Sequence, residues 1–254
     1  MKKTLRFTSA ALTLALAAGM ALPAFAAAKP SFSKDETVYA VMAPDGTVTS
    51  TTVSAHLYNA AGLSGVTDRS TLTDIVNTES DAAFTQNGDS LTWDTTDTDV
   101  YYKGNTSRAL PVSAAVTYTL DGETAPLENL LGKSGHLTIR IDLTNNETGT
   151  VTVNGAERTV VTPFITAVGV VLGEDASNVT LEHGLLESAA KSTVAAFVTL
   201  PGVRGALSGL LPDSFSAAED YLQDSVTVEA DVENLSAPQI LLASAASAEA
   251  LGQD

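Results

Sequence analysis

Residues 132–135, Gly-Lys-Ser-Gly, make the first claim to chemistry in this chain. Gly-Lys-Ser is the tail of the phosphate-binding P-loop, G-x-x-x-x-G-K-[ST], whose phosphate sits at a helix N-terminus. The first glycine of that motif would stand at 127, and Leu127 occupies the position. The residues that follow, from His136 to Leu143, alternate polar and apolar with a period of two, so a strand is expected where the motif needs a helix. The stretch therefore reads as a tight turn, with Gly132 and Gly135 bending the chain and Lys133 and Ser134 exposed at its tip.

Acyl transfer is the second chemistry to weigh. Ser188 to Lys191 fits S-x-x-K, and Lys133 to Gly135 resembles K-T-G, a pair used by penicillin-binding enzymes. Those enzymes carry S-x-x-K first, whereas here the order is reversed and no S-D-N occurs. Ser208 lies in G-x-x-S-G, which is not the G-x-S-x-G of a nucleophile elbow. His56, His136 and His183 lack the H-x-x-x-H and H-E-x-x-H spacings of zinc sites. Asp94, Asp97 and Asp99 are the candidate Ca²⁺ ligands, because carboxylates on a loop between strands can hold that ion. Their competing reading is a solvated acidic loop, and no other cofactor is expected. Trp93 and Tyr101 are the candidate ligand-binding aromatics. The bland alternative places Trp93, Tyr101 and Tyr102 in the core and on sheet faces. Tyr101 and Tyr102 are neighbours in an expected strand, so they point to opposite faces and at most one joins Trp93. The N-x-[ST] matches at Asn105, Asn146, Asn178 and Asn234 follow from the abundance of Ser and Thr and matter only in a eukaryotic secretory host.

The elements that must position these residues are mostly strands. The chain has 254 residues, and residues 1–26 read as a signal peptide: Lys2, Lys3 and Arg6, then an apolar run, then Ala24-Phe25-Ala26 as the cleavage pattern. No later segment is apolar for the roughly 20 residues that a membrane-spanning helix needs. The chain lacks cysteine, which excludes disulfides and thiolate metal sites. Loss of the leader leaves 10 basic against 30 acidic residues, a net charge of −20 that repels nucleic acid. The hydrophobic content of 44% argues against general disorder.

Turn signals at Pro44-Asp45-Gly46, Asn87-Gly88, Asp121-Gly122 and Asn154-Gly155 separate short β-rich runs. From residue 110 onward about seven strands are expected in some 120 residues. Leu137, Ile139, Ile141 and Leu143 share one face of the most regular of them, with His136, Thr138, Arg140 and Asp142 on the other. The run from Phe164 to Leu172 is continuously apolar, as in a strand buried on both faces. The expected fold is all-β: a small N-terminal β-domain over 27–108, an immunoglobulin-like β-sandwich over 109–235, and an Ala-rich tail over 236–254 without a β period, with a short helix as one reading of it. One short helical insert is expected from Ser216, where Glu219 completes a capping box.

Several phrases carry a resemblance: "KDETVYAVMAPDGTV", "DIVNTESDAAF", "LPVSAAVTYTLDGE", "LLGKSGHLTIRIDLTNN" and "VVTPFITAVGVVL". Together they resemble the extracytoplasmic N-terminal region of exported Firmicutes proteins similar to the YhgE/Pip-like surface proteins. Fuller members continue into heptad-like helical repeats and membrane spans, so the resemblance implies a short or truncated member. It also implies a secreted or surface-associated cell-envelope module with a binding or structural role, an envelope or extracellular partner, and no catalytic activity. A carbohydrate-binding module and a wall or glycan hydrolase remain as alternatives.

Overall fold

The computed structural model describes residues 32–153, 155–189, 191–207 and 222–246. Its regular structure is nearly all strand. The first seven strands are β1 (Ser33–Met42), β2 (Val48–Tyr58), β3 (Val66–Arg69), β4 (Thr73–Asn77), β5 (Phe84–Asn87), β6 (Ser90–Trp93) and β7 (Asp99–Asn105). They form an antiparallel sheet of order β1-β2-β7-β4 and a smaller one of order β3-β6-β5. The sheets share a core of Val53, Ala55, Leu57, Leu91, Trp93 and Tyr102. β2 shows the cause: Val53, Ala55 and Leu57 are buried while Ser54 and His56 alternate to the outside.

One charge enters that core. Asp68 is 3% exposed and accepts a hydrogen bond from the Tyr102 hydroxyl. The Lys34 ammonium lies 2.9 Å from Asp68 and 2.9 Å from Glu36, and 5.9 Å from the Tyr102 ring centre. Burial pulls the Lys34 ammonium down, but Tyr102, Asp68 and Glu36 outweigh it and hold the group above its ordinary range. Burial, with Asp68 beside it, pushes the Tyr102 hydroxyl up against the opposing pull of Lys34.

The remaining strands are β8 (Val112–Leu120), β9 (Glu123–Thr124), β10 (Gly135–Asn145), β11 (Thr148–Val153), β12 (Ala156–Val161), β13 (Phe164–Gly173), β14 (Ala176–Leu181), β15 (Leu185–Ala189), β16 (Ser192–Thr199), β17 (Ser225–Val232) and β18 (Gln239–Ala246). The sheets β14-β17-β10-β8-β9 and β15-β16-β13-β18 are antiparallel, and β11-β12 is a separate hairpin. Leu137, Ile139 and Ile141 from β10 share one core with Val168, Val170 and Leu172 from β13 and Phe197 from β16. The arrangement is sandwich-like, as the strand pattern predicts. Asp121 and Gly122 both take positive φ, 51° and 85°, and close the two-residue turn between β8 and β9.

The Gly-Lys-Ser-Gly question is answered by hydrogen bonds. The Gly132 amide donates to Leu235 O at 2.9 Å, the Leu235 amide to Lys133 O at 2.8 Å, and the Asn234 amide to Ser134 Oγ at 3.0 Å. The stretch is a turn that ties the start of β10 to the end of β17, and Lys133 is exposed on it.

Two expectations change, and a third falls outside the described residues. Residues 239–246, expected in an Ala-rich tail without β period, form β18 and pair with β13 from Phe164 to Val171. A strand inside a sheet must satisfy backbone groups on both edges, and β18 does so for β13. Its period was hidden because both faces are apolar: Ile240 and Leu242 pack on the core while Leu241 faces out. The strand β13 itself, expected to be buried on both faces, has one face in the core and leaves Ile165 42% exposed on the other. The helical insert starting at Ser216 lies largely outside the described residues. Among the described residues the helical pieces are a 3-10 turn at Leu127–Asn129 and one turn, α1, at Val203–Ala206.

Candidate functional site

Three sheets meet around an apolar groove of about 490 Å³. Among the described strands, β1 pairs with β2 alone and β18 with β13 alone, so each has a free edge. Successive residues 36–40 of β1 and 240–244 of β18 line the groove, whereas β8 contributes every second residue, Val112, Ala114, Val116 and Tyr118. A strand that offers every residue is met edge-on; one that offers alternate residues is met on a face. The groove therefore has the core-side face of β8 as one wall and the edges of β1 and β18 as others. Its apolar character follows from Val38, Met42, Val116 and Ile240.

The turn between β1 and β2 fixes this geometry. The Val116 amide donates to Asp45 O at 2.8 Å and the Tyr118 hydroxyl to Pro44 O at 3.0 Å. Burial, with Asp45 nearby, pushes the Tyr118 hydroxyl up to about 12. Gly46 has φ +90°, and a Cβ there would overlap the Ala114 carbonyl, so the Pro-Asp-Gly turn seats against β8 only with glycine at its third position. Among the lining residues Glu36 is the one ionised side chain, and it is engaged by Lys34 at 2.9 Å. Such a surface can exclude water, seat apolar side chains and offer backbone hydrogen bonds. It has little with which to move a proton.

The residues singled out in the sequence fall elsewhere. The three aspartates do not converge. Asp94 accepts from the Ser64 hydroxyl at 3.0 Å, the Asp97 backbone closes a loop to Leu63, and Asp99 lies 2.8 Å from His56 Nε2. Among the described residues no group of three or more His, Asp or Glu is arranged to hold a metal ion, and Asp94, Asp97 and Asp99 form no such set. Trp93 is wholly buried, with Phe84 at 5.1 Å and Tyr102 at 5.6 Å between ring centres, and its Nε1 has no hydrogen-bond partner among the described residues. It is core, and Tyr102 joins it there, not Tyr101. Tyr101 turns outward and stacks on His56 at 4.2 Å, 3° from parallel. Strand register puts Tyr39, Tyr58 and Tyr101 on this same outer face. The groove itself had no sequence signature, because its walls come from three segments that no local pattern links. The available signal was the apolar residues of β1 and β18 that an alternating strand would not need.

No family model matches the chain, and no curated protein matches it.

A second polar cluster on the sandwich surface carries a pH prediction. His136 Nδ1 lies 2.9 Å from Asp231 Oδ1, and the Asn178 amide donates to Asp231 at 2.8 Å. The hydrogen bond to Asp231 raises the His136 imidazole, while Asn178 and then His136 lower the Asp231 carboxyl. The raised imidazolium favours the fold below its ordinary value and loses that contribution as pH rises through the raised one. The lowered carboxylate contributes above its ordinary value and loses it as pH falls through the lowered one. The pair is therefore complete between those two limits. Because both groups are half exposed, its effect on stability is small. Asp231→Asn returns the His136 titration, followed by NMR, toward about 6.5. An unchanged midpoint would show that Asp231 does not hold the imidazolium.

Proposed function

We propose that this chain is an exported, cell-envelope-associated β-module that works by binding an extended apolar segment of a partner and not by catalysis. One observation carries the reading: an apolar groove bordered by the free edges of two strands. A segment laid along β1 or β18 gains main-chain hydrogen bonds from the edge and buries alternate side chains in the groove, the mode of strand addition. The leader-like residues 1–26 and the resemblance to exported surface proteins support the location. The scarcity of ionised side chains in the groove supports a non-catalytic role, because a wall or glycan hydrolase needs paired carboxylates facing its substrate.

The test is selection from a library of random peptides. Selected binders are expected to lose at least about tenfold in affinity with Val38→Asp, equivalent to about 1.4 kcal/mol. Val151→Asp, on the exposed β11 hairpin, leaves binding unchanged. Failure to select any binder, or binders indifferent to Val38→Asp, sinks the reading. The second reading, a carbohydrate-binding module, rests on the outward Tyr39, Tyr58 and Tyr101. It predicts glycan-array signals that disappear with Tyr101→Ala and persist with Val38→Asp.

A further inference from the structure

The two outer faces of the sandwich differ in chemistry. On the β10 and β17 side, the outward residues include Arg140, Asp142, Glu229 and Asp231. On the β15-β16-β13-β18 side, strand register sends Leu185, Val198, Ile165 and Leu241 outward, 74%, 48%, 42% and 54% exposed. Among the outward positions of these four strands the one ionised side chain is Glu187, on the edge strand. At the centre Gly169 pairs with Ala196 on one side and Leu241 on the other. A Cβ added at Gly169 would meet nothing within 4 Å. A strand that is apolar on both faces is normally covered on both, and the described part of the chain covers β13 on one. A contiguous apolar face of this kind marks an interface.

We infer that this face packs against the same face of a second copy, forming a two-fold homodimer. Area, charge and shape choose that occupant. Four strands about 4.8 Å apart and about eight residues long present about 500 Å² per copy, so a pair covers about 1,000 Å², the size at which specific interfaces begin. The formal net charge of −17 makes two copies repel over most of their surface. Among the described residues this face is a broad area where nearly uncharged surfaces can meet, and it offers a charged partner no complementary group beyond Glu187 at its edge. Larger residues, Leu185, Val198, Ile165 and Leu241, surround a shallow centre at Gly169 and Ala196. A two-fold axis beside Ala196 brings the two Ala196 positions together and lets the large side chains of each copy pack around the shallow centre of the other, as in face-to-face sheet packing. The face adjoins the groove and shares Leu241 and Ala243 with its lining, but a dimer through it needs no occupant in the groove.

The chain has no cysteine, so a single introduced one reports its own neighbours. In protein purified after expression of the full chain, Ala196→Cys is expected to form a disulfide-linked dimer under mild oxidation, and Thr138→Cys on the polar outer face is not. Light scattering is expected to give about twice the chain mass for the unmodified protein and about one chain mass for Ala196→Lys, with Thr138→Lys remaining dimeric and circular dichroism unchanged in both. If Ala196→Lys does not fold, Val198→Lys at the same face makes the same comparison. Three results would each overturn the proposal: an unmodified protein of one chain mass, cross-linking no faster at 196 than at 138, or a monomer that uses this face to bind phosphatidylcholine vesicles.

Discussion

Ile139→Ala and Ile141→Ala each cost about 2–5 kcal/mol of stability, from lost burial and the cavity left behind, whereas Arg140→Ala costs less than about 0.5 kcal/mol. Ile139 and Ile141 are 1% and 0% exposed at the centre of β10, which pairs with β17 on one side and β8 on the other. Neither neighbour can close over a missing side chain without breaking its own pairing. Arg140 between them points outward, and its guanidinium reaches Asp142 two residues along the same face at 2.6 Å. Both groups are about half exposed, and an ion pair in that setting contributes little. Urea melts of the three single mutants check the result. Opposite behaviour of Ile139 and Ile141 would contradict a period of two, because on a helix these positions stand about 200° apart.

Asp68→Ala is expected to cost about 1–3 kcal/mol, because it leaves the buried Tyr102 hydroxyl without its acceptor and the partly buried Lys34 ammonium with Glu36 as its one carboxylate. Thermal melts of Asp68→Ala and of the double change with Lys34→Met measure it. The double variant should recover part of the loss, since it removes a partly buried ammonium that has lost one of its two carboxylates. If the two variants melt at the same temperature, the ammonium is not what Asp68 supports. The same network sets an alkaline limit. Lys34 and Tyr102 are both held above their ordinary values of about 10. Groups raised on folding favour the fold below the ordinary value and lose that contribution as pH rises through the raised one. Stability should therefore decline at alkaline pH, and Tyr102→Phe with Lys34→Met should flatten that decline.

The most legible part of the chain was the one in which neighbours along the sequence have opposite tasks. β10 shows this at Leu137, Ile139, Ile141 and Leu143, all in the core, as does the Asp121-Gly122 turn with its two positive φ angles. β18 was illegible for the complementary reason. Ile240, Leu241 and Leu242 are all apolar, although Leu241 is 54% exposed and its neighbours pack on the core. Alternation signals a strand only when its two faces differ, and here they do not.

For the candidate site, spacing and composition excluded a phosphate loop at Gly132-Lys133-Ser134, a reversed acyl-transfer pair and a cysteine-based centre. These exclusions rest on local chemistry, which the sequence determined by itself. It also placed the main turns and the core face of β10, since those follow from φ preferences and the two-residue period of a strand. Tertiary structure alone decided which tyrosine meets Trp93, that Asp94, Asp97 and Asp99 turn to different partners, and that β1, β8 and β18 surround one groove. Each of these is a contact between segments tens of residues apart. Such contacts depend on how sheets stack and where their edges fall, and no local preference encodes either.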